Sequence, residues 1–170
     1  MTPAVVEIGE AFVGAGPEAA HLNTVLGDRG GPVEGAWVSA LAMPRPGHVA
    51  FVCVLRPGLA VKPLTLFVNK APLAGATHER LTWGAAQAGV ATGVLDAVAD
   101  GVVPPDGVDA RLLVAAVWVD PAAADESRVF DHNRLATRAA LEAGHRGTPG
   151  LDDLLARRHQ AENPFFSGRS

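Results

Sequence analysis

The sequence has one cysteine, Cys53, and no tyrosine. A single thiol excludes an intramolecular disulfide and any zinc site built from a cysteine cluster. No apolar run reaches the ~18 residues that a membrane-spanning helix requires. Residues 1–10, MTPAVVEIGE, hold neither a basic stretch nor an apolar core of the signal-peptide kind. The cytoplasm is therefore the expected location. Positive charge is scarce and scattered: 14 Lys and Arg stand against 18 Asp and Glu, a formal net charge of -4. With no basic stripe interleaved with aromatics, nucleic-acid binding is not expected. The six histidines include no pair at metal-ligand spacing, so no metal site is expected.

What is present suits one compact domain. The 170 residues are 48% hydrophobic, enough for a sizeable core. From Ala4 to Gly14 the chain is β-branched and partly alternating, and His21 to Gly27 alternates again, which predicts a hairpin across the turn GAGPEA. Strand alternation puts His21, Asn23 and Val25 on one face and Leu22, Thr24 and Leu26 on the other. A polar pair on an otherwise apolar strand is what the lining of a cleft would look like. Pro32 suits the first turn of a short helix bearing Val33, Trp37 and Leu41. Apolar β-rich runs follow at His48–Gly58 and Leu64–Pro72. From about Thr77 to Gly101 the pattern is helical, with Val90, Val94 and Val98 in a stripe and Gln87 at its top. Gly84, Gly89 and Gly93 weaken that helix, and close backbone packing is the expected compensation. A strand at Ala110–Asp120, a long amphipathic helix with Val129, Leu135 and Leu141 inward, a last helix and a tail holding two phenylalanines complete the chain. This order predicts an α/β (α+β) domain, with a largely antiparallel sheet covered by helices.

The candidate chemical groups are few. GAGPEA mimics a dinucleotide-binding glycine pattern, but a strand follows it instead of a helix, so it reads as a hairpin turn. HER at His78–Arg80 lacks the second histidine of a zinc-protease helix. His132 reads as part of a solvated helix face. His145 and His159 lie near helix ends, where they suit the helix dipole. Cys53, in an apolar strand, reads as an inert core thiol. His21 reads either as a core residue with both ring nitrogens satisfied or as a cleft group. Lys70 is either a strand-end lysine reaching solvent or a cation at a cleft lip. Residue types alone leave both alternatives open.

Four segments together carry a resemblance. IGEAFVGAGPEAAHLN (8–23), KPLTLFVNK (62–70), GAAQAGVATGVLDAVADGVVP (84–104) and NPFF (163–166) are similar to the VGEALVG…AHID, KPxTLxxNK, GxAQxGVAxxVxDAVAxGxxP and xPF patterns of the formaldehyde-activating enzyme family. The resemblance implies condensation of formaldehyde with tetrahydromethanopterin as co-substrate, in one-carbon metabolism and formaldehyde detoxification. It further implies a ribosomal-protein-S5-domain-2-like fold and a homopentamer with the reduced pterin between neighbouring subunits, without a metal. The family's catalytic histidine falls on His21. Its pterin contacts fall on Asn23, Val52, Lys70, Pro72 and Gln87.

The chemistry explains why one acid suffices. A carbinolamine loses its oxygen poorly unless that oxygen is protonated, and a histidine can supply the proton. Val52 is a conservative change from the family's leucine, and two departures matter: Asn23 replaces an aspartate and Pro72 a threonine. A carboxylate at 23 would favour the imidazolium by charge attraction, whereas an amide cannot. Pro72 lacks both a hydroxyl and a backbone donor. The departures leave three readings: a working enzyme of the family, a divergent paralogue using another reduced pterin or amine, and a non-catalytic formaldehyde- or pterin-binding or sensor protein.

Overall fold

The computed structural model describes residues 5–168, so Ala4, where the first strand was expected to begin, lies outside the described residues. In chain order the elements are β1 (Val6–Val13), β2 (Ala20–Asp28), α1 (Pro32–Ala42), β3 (Ala50–Val52), β4 (Val54–Arg56), β5 (Leu59–Ala60) and β6 (Leu64–Asn69). Then come α2 (Ala76–Arg80), α3 (Gln87–Ala99), β7 (Arg111–Trp118), α4 (Glu126–Arg146) and α5 (Leu151–Ala156). Five strands form one sheet in the order β1-β2-β7-β6-β3, and β4 pairs with β5 in a small hairpin. The hairpin expected at the start of the chain forms, with Phe12 opposite His21 and Glu10 opposite Asn23. All sheet neighbours are antiparallel except β6 and β7. That parallel pair needs a crossover, which α2, a π-helical turn at Leu81–Ala86 and α3 provide.

Alternation sorts the sheet's two faces. Leu22 and Leu26 of β2, Leu113 and Val117 of β7 and Phe67 of β6 are buried under α3 and α4 in the larger core cluster. Each such fully buried side chain contributes roughly 1.5–3 kcal/mol. The opposite face is covered only in part. There Val33 and Trp37 of α1 pack on Ala50, Leu66 and Leu112, and the Trp37 indole N–H donates to the Leu113 carbonyl at 3.1 Å.

The apolar run from His48 to Gly58 is two strands, not one. At Cys53 the chain leaves the sheet: its N–H still donates to the Thr65 carbonyl, while its own carbonyl turns to accept from Val61. In α4 the acidic N-cap Asp125 accepts from the Arg128 N–H, and Gly147 closes the helix in the left-handed conformation. Leu135, expected inward, is 55% exposed. Six residues after Val129 is about 240° around a helix of 3.6 residues per turn, so Leu135 faces solvent while Ala136, Ala140 and Leu141 face the core. Leu41 and Trp83 are also exposed, whereas Trp37 is buried.

The expected close approach of the glycine-bearing helix is present at two of the three glycines. A Cβ on Gly89 would lie 2.5 Å from the Phe130 carbonyl oxygen, and one on Gly93 would lie 2.4 Å from that of Arg134. Both obstacles are α4 backbone, which cannot rotate aside. A Cβ on Gly84 would meet nothing within 4 Å. Gly93→Ala is therefore expected to destabilise the fold by about 1–3 kcal/mol despite the better helix propensity of alanine. Gly84→Ala is expected to be neutral or stabilising by up to ~1 kcal/mol. Urea unfolding of the two variants, compared at equal m-value, checks the pair.

Candidate active site

Beyond the reach of α1, the second face of the sheet is open at the end where β2 begins. His21 stands there with its side chain 38% exposed, and its Nε2 lies 3.0 Å from Oε1 of Glu10 on the neighbouring strand. The Phe12 ring leans on the imidazole with centroids 5.8 Å apart. Trp118 is His21's pairing partner on β7, and Phe165 from the tail meets Trp118 edge-on at 6.4 Å. These groups wall a cavity of about 890 Å³, whose lining also includes Asp120 and Glu162. A smaller cavity of about 330 Å³ shares His21, Phe12, Trp118 and Phe165 and adds Lys70. The tail reaches the site as a tight turn in which Asn163 and Phe166 exchange backbone hydrogen bonds of 2.8 and 3.0 Å.

Lys70 continues the ladder just past β6, its N–H donating to the Val117 carbonyl at 2.7 Å. Its side chain is exposed, and Nζ donates to Oδ1 of Asn23 at 2.6 Å. His21, Asn23 and Lys70 thus come together, as three of the six expected site residues. Asn23 shares the face of His21, but its one acceptor oxygen serves Lys70. The carboxylate beside the imidazole belongs to Glu10, which the sequence reading passed over. The signal was available, because Glu10 and Phe12 are two apart on one strand face, and hairpin pairing sets that face beside His21.

The other three expected residues lie elsewhere in the chain. Val52 sits on the edge strand β3, opposite Leu66, and packs on the smaller core cluster. Three inter-strand steps, about 14 Å, separate β3 from β2. Pro72 is exposed beside the loop at Gly47, where a glycine Cβ would come within 3.4 Å of it. Gln87 starts α3, in the helical layer on the covered face. Its Oε1 accepts from the Val54 N–H at 2.6 Å, where the chain has just left the sheet. The partner demanded by a polar group atop an apolar stripe is therefore a backbone amide.

His78 and His132 are held by structural contacts. His78 is fully buried with both ring nitrogens engaged, Nδ1 with the Ala74 N–H and Nε2 with the Val119 carbonyl. His132, expected on a solvated face, is half-buried, with Nδ1 2.8 Å from the Glu18 carbonyl, because the β1–β2 turn folds onto α4. Among the described residues no group of three or more His, Cys, Asp or Glu is placed to hold a metal ion. No helix among them is long and apolar enough to cross a membrane.

Comparison with known proteins adds independent findings. Residues 8–166 match the family model described as formaldehyde-activating enzyme (Fae). The chain is 41% identical over 158 residues to a 5,6,7,8-tetrahydromethanopterin hydro-lyase of Methanosarcina barkeri, covering 93% of this chain and 89% of that protein. It is 37% identical to a bifunctional enzyme Fae/Hps of Methanosarcina mazei, covering 88% of this chain but 38% of that protein. A second bifunctional enzyme Fae/Hps, from Methanococcoides burtonii, is 36% identical, with 91% and 39% covered. The chain thus spans about two-fifths of these bifunctional relatives.

Cys53 is fully buried, and burial pushes its thiol up to about 12. Since the thiolate is the reactive form, Cys53 in the folded protein is expected to resist a disulfide reagent at pH 8.5, where a free thiol is about half ionised. Labelling should follow unfolding in denaturant, with one equivalent consumed. Rapid labelling of the native protein would contradict this.

Proposed function

Because the chain belongs to the formaldehyde-activating enzyme family, we propose that it condenses formaldehyde with tetrahydromethanopterin to methylene-tetrahydromethanopterin and water, with His21 as general acid. The observation that carries the reading is the place of His21: half-exposed on the wall of a cavity of about 890 Å³, not sealed in the core. That volume lies within the range of small-molecule sites. Phe12, Trp118 and Phe165 supply apolar and aromatic walls for a planar ring.

The steps balance without an external reagent. One secondary amine of the pterin adds to formaldehyde, and proton transfer gives the carbinolamine. Imidazolium His21 gives its proton to the carbinolamine oxygen, the C–O bond breaks, and water and an iminium carbon result. The second amine attacks that carbon and closes the five-membered ring. The proton it releases restores the imidazolium, so no net proton is consumed. Acid catalysis of this kind contributes ~10²–10⁴-fold, and holding both amines in line with the carbon adds an orientation term.

Lys70 lines the smaller cavity with His21, and Asn23 is hydrogen-bonded to Lys70, which supports pterin contacts from the same chain as His21. Val52 and Gln87 are separated from His21 within the chain, and we assign them to the site of a neighbouring copy in a homopentamer. Asn23 gives a specific reason for a second reading, in which the acceptor is another reduced pterin or amine. Lys70 meets a neutral amide there, so the cleft holds one less negative charge than an aspartate would give it.

In an absorbance assay the protein is expected to speed methylene-tetrahydromethanopterin formation above the spontaneous rate, and His21→Ala to lose ~10²–10⁴ of that acceleration. Acceleration with tetrahydrofolate but not tetrahydromethanopterin would favour the second reading. Binding of either pterin without any rate effect would overturn both. Light scattering is expected to give five times the chain mass.

A further inference from the structure

Resting on the reading of His21 as the acid, we infer that Glu10 is the positioning residue of that histidine and that residue 23 acts on Lys70 instead. The histidine and the lysine at the cleft have separate partners. His21 Nε2 stands 3.0 Å from Glu10 Oε1, and Lys70 Nζ donates to Asn23 Oδ1 at 2.6 Å. The sheet dictates this division. Glu10 lies opposite Asn23 in the β1–β2 register, two pairs along from Phe12 and His21 on the same face, so its side chain reaches the ring diagonally. Asn23 has Ala116 across from it on β7, a residue too small to stand between it and Lys70. Its amide oxygen is the acceptor that the lysine uses.

Four charged groups surround the cavities that His21 lines: Glu10 from β1, Lys70 after β6, Asp120 after β7 and Glu162 from the tail. Among the described residues only Glu10 comes within ion-pair distance of the ring. At that distance its carboxylate fixes which ring nitrogen faces β1. With Nε2 facing the carboxylate, Nδ1 is the nitrogen left for substrate. Phe12 packs against the ring and limits its rotation. Glu10 itself is more than half exposed, so its replacement removes a charge without opening the core.

The test uses the full-length protein and two kinds of readout. NMR of the His21 ring, identified as the resonance missing from His21→Gln, reports its orientation without turnover. Through-space contacts between the His21 and Phe12 rings are expected in the wild type, to weaken at least twofold in Glu10→Ala, and to be retained in Glu10→Gln, whose amide oxygen can still accept, and in Asn23→Asp. In the kinetic arm, Glu10→Ala is expected to lower kcat by up to ~10²-fold with little change in the KM for pterin, and Glu10→Gln to recover part of that loss. Asn23→Asp is expected to change the KM for pterin instead. Unchanged ring contacts in Glu10→Ala would overturn the inference, as would an equal loss of those contacts in Asn23→Asp. A wild type that gives no rate acceleration would sink the catalytic reading alone, because the ring contacts still decide the role of Glu10.

Discussion

The pairing register of β2 is the constraint on which the rest depends. This strand is hydrogen-bonded on both sides, to β1 and to β7. Its side chains alternate between a closed core and an open face. A slip of one residue would carry Leu22 and Leu26 out to solvent and His21 and Asn23 into the interior. The cost of exposing those leucines therefore holds the histidine at the cleft. The two faces are tied by geometry: the core side of the strand secures the register, and the other side presents the His21 imidazole.

The helical layer serves the same end at a distance. Gly89 and Gly93 let α3 lie directly on the backbone of α4, and together the two helices close the face that Leu22 and Leu26 need. Arg134 reinforces this contact, with Nε and Nη2 at 2.6 and 3.0 Å from the Asp96 carboxylate. The hydrogen bond and charge of Asp96 raise the guanidinium above its usual range. α1 covers only part of the other face, so the His21 end of the sheet stays open. Gln87 belongs to the same logic, because where the chain leaves the sheet at Cys53 the freed Val54 N–H is taken up by that side chain.

Much of this was legible in the amino-acid order. The hairpin, the face shared by His21 and Asn23, the buried Cys53, the close-packed glycines and the mostly antiparallel sheet all follow from periodicity, turn residues and side-chain size. These are local properties, and neighbours along the chain determine them. Leu135 was not legible, because an apolar residue six positions after Val129 lies about 240° around the helix from it and faces solvent. His132 failed because its partner, the Glu18 carbonyl, is more than a hundred positions away in the chain.

By itself the sequence determined which residues could form a strand, which face His21 would take and which family the motifs resemble. Only the tertiary structure decided who stands beside whom. It set Glu10 against His21, gave Asn23 to Lys70, brought the tail's Phe165 onto Trp118 and separated Val52 and Gln87 from the cleft. The physical reason is that period and propensity act over a few residues, whereas charge pairing and cavity walls depend on strand order and helix placement, which arise only when distant segments pack.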